Sequence, residues 1–183
     1  MFSLFALVPL LGMVAASPVV QRQDSILLQD PPPGNGRRLH PYGQSDLCVM
    51  VQKGYAAHNT DVAISVCPPN DDTWTESSLW NVANGSTGPI SVQSKVGDFC
   101  LTVGENPTSG SRVFIDYCGG QNQNWYYSDV NVLKLDGTNL CLDVVEGSGP
   151  SYSKPYGSEK DLQVWECVEG NTNQIFFETP YTS

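Results

Sequence analysis

Histidine is almost missing from this chain. His40 and His58 are its only two, and neither lies in a run that pairs a nucleophile with a base. A histidine-dependent catalytic triad is therefore hard to assemble, and without any Cys-x-x-Cys pair zinc ligation is disfavoured too. Basic charge is also scarce: Lys and Arg number 9 against 19 Asp and Glu, and beyond Arg38 the balance is six against seventeen. So acidic a chain is repelled by nucleic acid and by anionic membrane surfaces, which leaves neutral or cationic partners. No segment carries a sustained helical period of apolar residues, and past the N-terminus no run is apolar enough to cross a bilayer. Carboxylates are plentiful but none stands in a recognisable catalytic setting. The chain reads as a non-enzyme with no cofactor and no metal.

What is present begins with an apolar run from Met1 to Ala16, closed by the small residues Val14-Ala15-Ala16 before Ser17-Pro18. It is shorter than the roughly 20 residues that span a bilayer, and it reads as a secretory signal peptide rather than a membrane anchor. Residues 17–46 read as a flexible tail or propeptide, because Pro31-Pro32-Pro33-Gly34-Asn35-Gly36 removes donors and favours disorder. Arg37-Arg38 is either a dibasic processing site or a pair of solvated charges on a linker.

Six cysteines in a secreted chain are expected to be bonded. Six permit fifteen connectivities, and an internal repeat chooses among them. The runs Leu47-Cys48-Val49-Met50-Val51, Phe99-Cys100-Leu101-Thr102-Val103 and Leu140-Cys141-Leu142-Asp143-Val144 each open a cysteine bracket that a second β-type run closes. The expected pairs are Cys48–Cys67, Cys100–Cys118 and Cys141–Cys167, each worth roughly 3 kcal/mol on a chain-entropy argument. Turn signals such as Asn84-Gly85, Ser109-Gly110 and Asp136-Gly137 separate short β-type runs. The expectation is an all-β fold of about four strands per repeat and about twelve in total, with repeats at about 47–92, 93–135 and 136–179.

Each repeat ends on a large aromatic: Ser78-Leu79-Trp80, Gln123-Asn124-Trp125 and Gln174-Ile175-Phe176. Rings recurring at one place in three units are expected to meet in the core. The third repeat alone holds a full set of Asp143, Gln163, Trp165, Asn173 and Gln174. A carboxylate and amides pair with vicinal hydroxyls, and an indole covers the C–H face of a pyranose.

With Cys-Leu-x-Val-type openings and Gln-x-Trp-type closings in phase, residues 47–179 resemble the ricin B-type lectin family. The resemblance implies a β-trefoil that binds sugars noncovalently, often galactose or N-acetylgalactosamine, with one possible pocket per repeat. It also implies an acid two residues after the opening Cys and a stacking aromatic two residues before the closing one. Asp143 and Trp165 fill those places in the third repeat, against Thr102 and Asp116 in the second and Met50 and Ser65 in the first. Gln163 is matched by Phe114 and Ala63, and Asn173-Gln174 by Asn122-Gln123 and Ser77-Ser78. One working pocket is expected, in the third repeat, with glycans or glycoproteins as partners. Because Gln123 survives where acid and ring are lost, Gln174 is also a candidate for a scaffold role.

The third bracket is longer than the others by an insertion at 147–157, where Tyr152 or Tyr156 would either cover the sugar or belong to a loop without contacts. Asn84-Gly85-Ser86 is a glycosylation sequon in an expected loop. The rival reading is a trefoil that acts on a protein through its loops, for example as a protease inhibitor. A targeting module of the kind that accompanies a glycoside hydrolase is a third.

Overall fold

Runs of five to seven residues rich in Val, Leu and Ile leave each strand with a face to bury, and antiparallel hairpins satisfy the backbone while bringing those faces together. A computed structural model describes residues 36–82, 84–94, 97–151 and 157–181. The expected signal peptide, most of the expected tail, and Tyr152 and Tyr156 lie outside the described residues. The first repeat contains β1 (Arg37–Pro41), β2 (Leu47–Val51), β3 (Thr60–Val66) and β4 (Trp80–Asn81). The second contains β5 (Thr87–Pro89), β6 (Ser91–Val92), β7 (Phe99–Val103), β8 (Ser111–Tyr117) and β9 (Asn124–Tyr127). The third contains β10 (Leu133–Leu135), β11 (Leu140–Val144), β12 (Lys160–Glu166) and β13 (Phe176–Pro180).

The count exceeds the expected twelve because β5 and β6 divide at the buried Ile90. β5 pairs with β9, whereas β6 pairs with β4 and β7. Among the described residues the only helical turns are three short 3-10 segments, and no helix is long and apolar enough to cross a membrane.

Three hairpins, β2–β3, β7–β8 and β11–β12, repeat one register: Cys48 lies opposite Ser65, Cys100 opposite Asp116 and Cys141 opposite Trp165. Their second strands pair with one another. Lys160 meets Ile64, Gln163 meets Arg112, and Thr60 meets Ile115, so β3, β8 and β12 close a triangle. The disulfides Cys48–Cys67, Cys100–Cys118 and Cys141–Cys167 tie each hairpin as expected, with Cα atoms 5.0, 5.0 and 5.1 Å apart.

Trp80, Trp125 and Phe176 are fully buried in one apolar cluster, in agreement with the sequence expectation. The two indoles also occupy equivalent hydrogen bonds: Trp80 Nε1 donates to the Val49 carbonyl at 2.8 Å and Trp125 Nε1 to the Leu101 carbonyl at 3.0 Å. Both acceptors follow directly after the opening cysteine of their repeat.

The expected tail boundary requires correction. Residues 37–41 do not belong to a tail: β1 pairs along its whole length with β13, from Arg37 opposite Pro180 to Pro41 opposite Phe176. Leu39 is completely buried. Arg37 Nη1 contacts Glu178 Oε1 at 2.8 Å, and Arg38 Nη2 donates to the Pro68 carbonyl at 2.6 Å. The dibasic pair is therefore embedded in a strand, and cleavage after Arg38 in the folded protein would cut β1.

His40 clamps this strand to its neighbours. Its Nδ1 lies 2.8 Å from the Leu47 carbonyl, which can only accept, so Nδ1 carries the proton. Nε2 lies 2.8 Å from Thr179 Oγ1, a hydroxyl that donates to it when the ring is neutral. Burial pushes the His40 pKa below its usual value, with Arg38 acting in the same direction and the Leu47 carbonyl and Asp46 opposing. The unfolded chain thus binds this proton more readily, and the stabilisation present above about pH 6.5 declines as pH falls toward the folded value. Denaturant unfolding at pH 7.5 and 5.5 is expected to show a larger loss for the natural protein than for His40→Gln.

Candidate functional site

The register of β11 on β12 sets Asp143 directly opposite Gln163, and the two-residue period of a strand puts Trp165 on the same side as Gln163. Gln163 Nε2 donates to Asp143 Oδ1 at 2.8 Å, and Asn171 Nδ2 approaches Asp143 Oδ2 at 3.4 Å. The carboxylate is thereby fixed in orientation. A carboxylate offers about four lone-pair positions, so two remain for a ligand's hydroxyls. Trp165 stands beside it with 44% of its surface exposed, in contrast to the buried rings of the core. These groups line a pocket of about 350 Å³ with Val145, Glu146, Asn171 and Asn173, at the lower end of the range for small-molecule sites.

The Trp165 ring is supported from the second repeat. Gly110, at φ +90°, lies beneath it, so that a Cβ there would be 3.9 Å from Trp165 Cζ3. Its amide donates to the Val164 carbonyl at 2.8 Å, and Ser109 Oγ accepts from the Glu166 amide at 2.9 Å. The positive φ explains the glycine; space alone does not.

Four of the five expected residues come together here: Asp143, Gln163, Trp165 and Asn173. Gln174 does not, and its assignment as a sugar ligand is corrected. It is 1% exposed, its Oε1 accepts from the Val168 amide at 2.9 Å, and its Nε2 donates to the Glu166 carbonyl at 2.9 Å. Gln123 makes the equivalent pair, to the Gly120 amide at 3.0 Å and the Tyr117 carbonyl at 2.9 Å. The glutamine of this motif clamps the chain around the closing cysteine.

Asn171 and Glu146 are site residues that sequence reasoning missed. Asn171 had a legible signal: its side chain accepts from the Asn173 amide at 3.0 Å, the two-residues-on turn that asparagine favours. The insertion at 147–157 begins directly after Glu146, which lines this pocket, and Ser151 within it lines a neighbouring cleft.

The sister positions have their polar groups satisfied by the protein itself. In the first repeat Gln52 Nε2 donates to the Met50 carbonyl at 3.2 Å and to Ser65 Oγ at 3.1 Å, and Ser65 is fully buried. In the second, Asp116 Oδ1 takes bonds from His58 Nδ1 at 2.6 Å and the Tyr117 amide at 2.7 Å. Asn122, the counterpart of Asn173, donates to the Gly104 carbonyl at 3.0 Å. His40, Cys48 and Cys67 form a metal-like cluster by distance, but the two sulfurs are bonded to each other and offer no thiolate.

The family model described as ricin-type beta-trefoil lectin domain matches residues 36–176. Among curated proteins, the chain is 34% identical over 98 residues to the probable alpha-galactosidase A of Aspergillus fumigatus, an alignment covering 52% of this chain and 16% of that protein. The chain therefore spans only a small part of that relative. The designed threefold-symmetric protein ThreeFoil has a TM-score of 0.60 at 18% identity, covering 80% of this chain and 99% of its own. The earthworm R-type lectin C-half, solved in complex with GalNAc, has a TM-score of 0.56 at 13% identity, covering 81% of this chain and 100% of its own. At such identities the structural likeness speaks for the fold, and that fold is the β-trefoil.

The different surroundings of the two neighbouring amides give separable outcomes. Gln174→Ala strands a buried amide and a buried carbonyl and is expected to lower stability by about 1–3 kcal/mol. Asn173→Ala, whose side chain makes no hydrogen bond with the described residues, is expected to stay within about 0.5 kcal/mol of the natural protein. Chemical unfolding of both variants checks this.

Proposed function

Because the chain belongs to the ricin-type β-trefoil lectin family, we propose that it is a secreted carbohydrate-binding protein that holds a galactose-type or related glycan, mainly in the third-repeat pocket. The observation that carries this reading is the oriented Asp143 carboxylate beside the exposed face of Trp165. In the bound state Asp143 accepts two hydroxyl protons, and the stereochemistry that lets both reach it is what the site selects. Asn173 and the free oxygen of Gln163 complete the polar side, while the indole covers the sugar's apolar face. Binding is noncovalent and requires no cofactor.

Secretion in this reading rests on the apolar segment 1–16 as a signal peptide and on three disulfides, which suit an oxidising compartment. The lectin domain then extends to the N-terminal side of residue 47, as the pairing of β1 requires. Asn84 is exposed, bridged to Tyr127 just before Gly85 at φ +68°, and is proposed to carry a glycan. The match to the Aspergillus protein covers too little of its length to bring any catalytic activity to this chain. A single pocket gives weak binding by one copy, so tight attachment to a glycosylated surface depends on multivalency.

A glycan array on the secreted protein tests the proposal. Galactose-type glycans are expected to bind, and Asp143→Ala and Trp165→Ala are each expected to weaken binding by about tenfold or more while leaving the unfolding transition in place. Undiminished binding in both variants would remove the pocket from the account.

A further inference from the structure

The triangle formed by β3, β8 and β12 leaves a cleft of about 470 Å³ next to the third-repeat pocket. The two hollows are not separate: Val145 and Gln163 line both. Gly110 lines the cleft and also lies under Trp165 of the pocket. A ligand stacked on that indole therefore meets the cleft across a shared floor.

The lining of the cleft indicates its occupant. Each repeat contributes an equivalent residue six positions before its closing cysteine: Asp61, Arg112 and Asp161. Arg112 Nη1 is tied to Asp61 Oδ1 at 2.6 Å, and its guanidinium lies 4.4 Å from the centre of the Phe114 ring. Lys53 and the Asp161 carboxylate also line the cleft, and neither side chain has a partner among the described residues. Two cations and two carboxylates balance, so the cleft selects neither for an anion nor for a cation. It offers spare donors and acceptors to a neutral, hydroxyl-rich group.

We propose that this axial cleft is an extension subsite, taking a further neutral sugar residue of the same glycan whose terminal residue occupies the Asp143–Trp165 pocket. The inference rests on the lectin reading and deepens it: the ligand is an oligosaccharide, and a single sugar fills only part of the surface. Lys53 donates to the second residue's hydroxyls and Asp161 accepts from them. Because both residues lie outside the primary pocket, they act on chain length and leave the terminal sugar's contacts untouched.

Isothermal titration of the full chain with methyl α-D-galactoside, and with linear galacto-oligosaccharides of two to four residues, tests this. The oligosaccharides are expected to bind about tenfold tighter than the methyl galactoside. Asp161→Ala and Lys53→Ala are each expected to erase most of that gain with the methyl galactoside affinity unchanged. Lys53 already sits at φ 64°, so alanine there introduces no new side-chain branch, and Asp161 is exposed. Equal affinity for short and long ligands, or a gain that survives in both variants, overturns the subsite while the pocket stands. Absence of binding to every one of these sugars overturns the galactose-type reading and the subsite together.

Discussion

Everything in this structure depends on the closure of three hairpins around one axis. β3, β8 and β12 each pair with both of the others, so no repeat can change its long strands without disturbing two neighbours. The rings of Trp80, Trp125 and Phe176 fill the interior that this closure creates, and two of them are held by an indole hydrogen bond to the same backbone position. The interior is thereby fixed. Freedom to vary is left to side chains on the outer face of the hairpins and to the loops between them.

That division explains why the three repeats present different chemistry at equivalent places, including a hollow of about 490 Å³ in the second repeat that lacks the acid and the indole. The pairs Met50 with Ala63, Thr102 with Phe114 and Asp143 with Gln163 occupy the same cross-strand position, and the scaffold tolerates all three. Only the third pair sets a carboxylate, the buried Asp143, at the base of a pocket beside an exposed ring. In the other two, polar groups turn back onto the protein, through Gln52 in the first and through His58 and Asn122 in the second. A buried polar group without a partner costs about 1–3 kcal/mol, so polar side chains at these positions pair within the protein where no ligand takes their bonds.

The three-part fold, the disulfide pairing and the four pocket residues were legible because comparison between repeats supplies an internal control. Asp143 and Trp165 stand out where their counterparts differ together. β1 was not legible, since its burial comes from partners about 140 residues away: Arg37 meets Glu178 and His40 meets Thr179, while its immediate neighbours are prolines and glycines. Gln174 was legible only in part: the survival of Gln123 without acid or ring pointed to the scaffold role, while its own membership of the third-repeat set pointed to sugar. Its composition suits a sugar ligand, but the 3-10 turn Thr172–Gln174 aims the side chain inward at Val168 and Glu166. The insertion at 147–157 leaves the pocket rim at Glu146 and reaches the neighbouring cleft at Ser151, a path that its glycines and serines did not show.

The central claim is that ligand meets the protein on the Trp165 indole. Four tryptophans give four indole N–H signals, and a proton–nitrogen correlation spectrum follows each while methyl α-D-galactoside is added. The Trp165 signal should move in proportion to occupancy, while those of Trp80 and Trp125, sealed on backbone carbonyls, stay where they are. A saturable shift that leaves Trp165 unmoved would contradict the account.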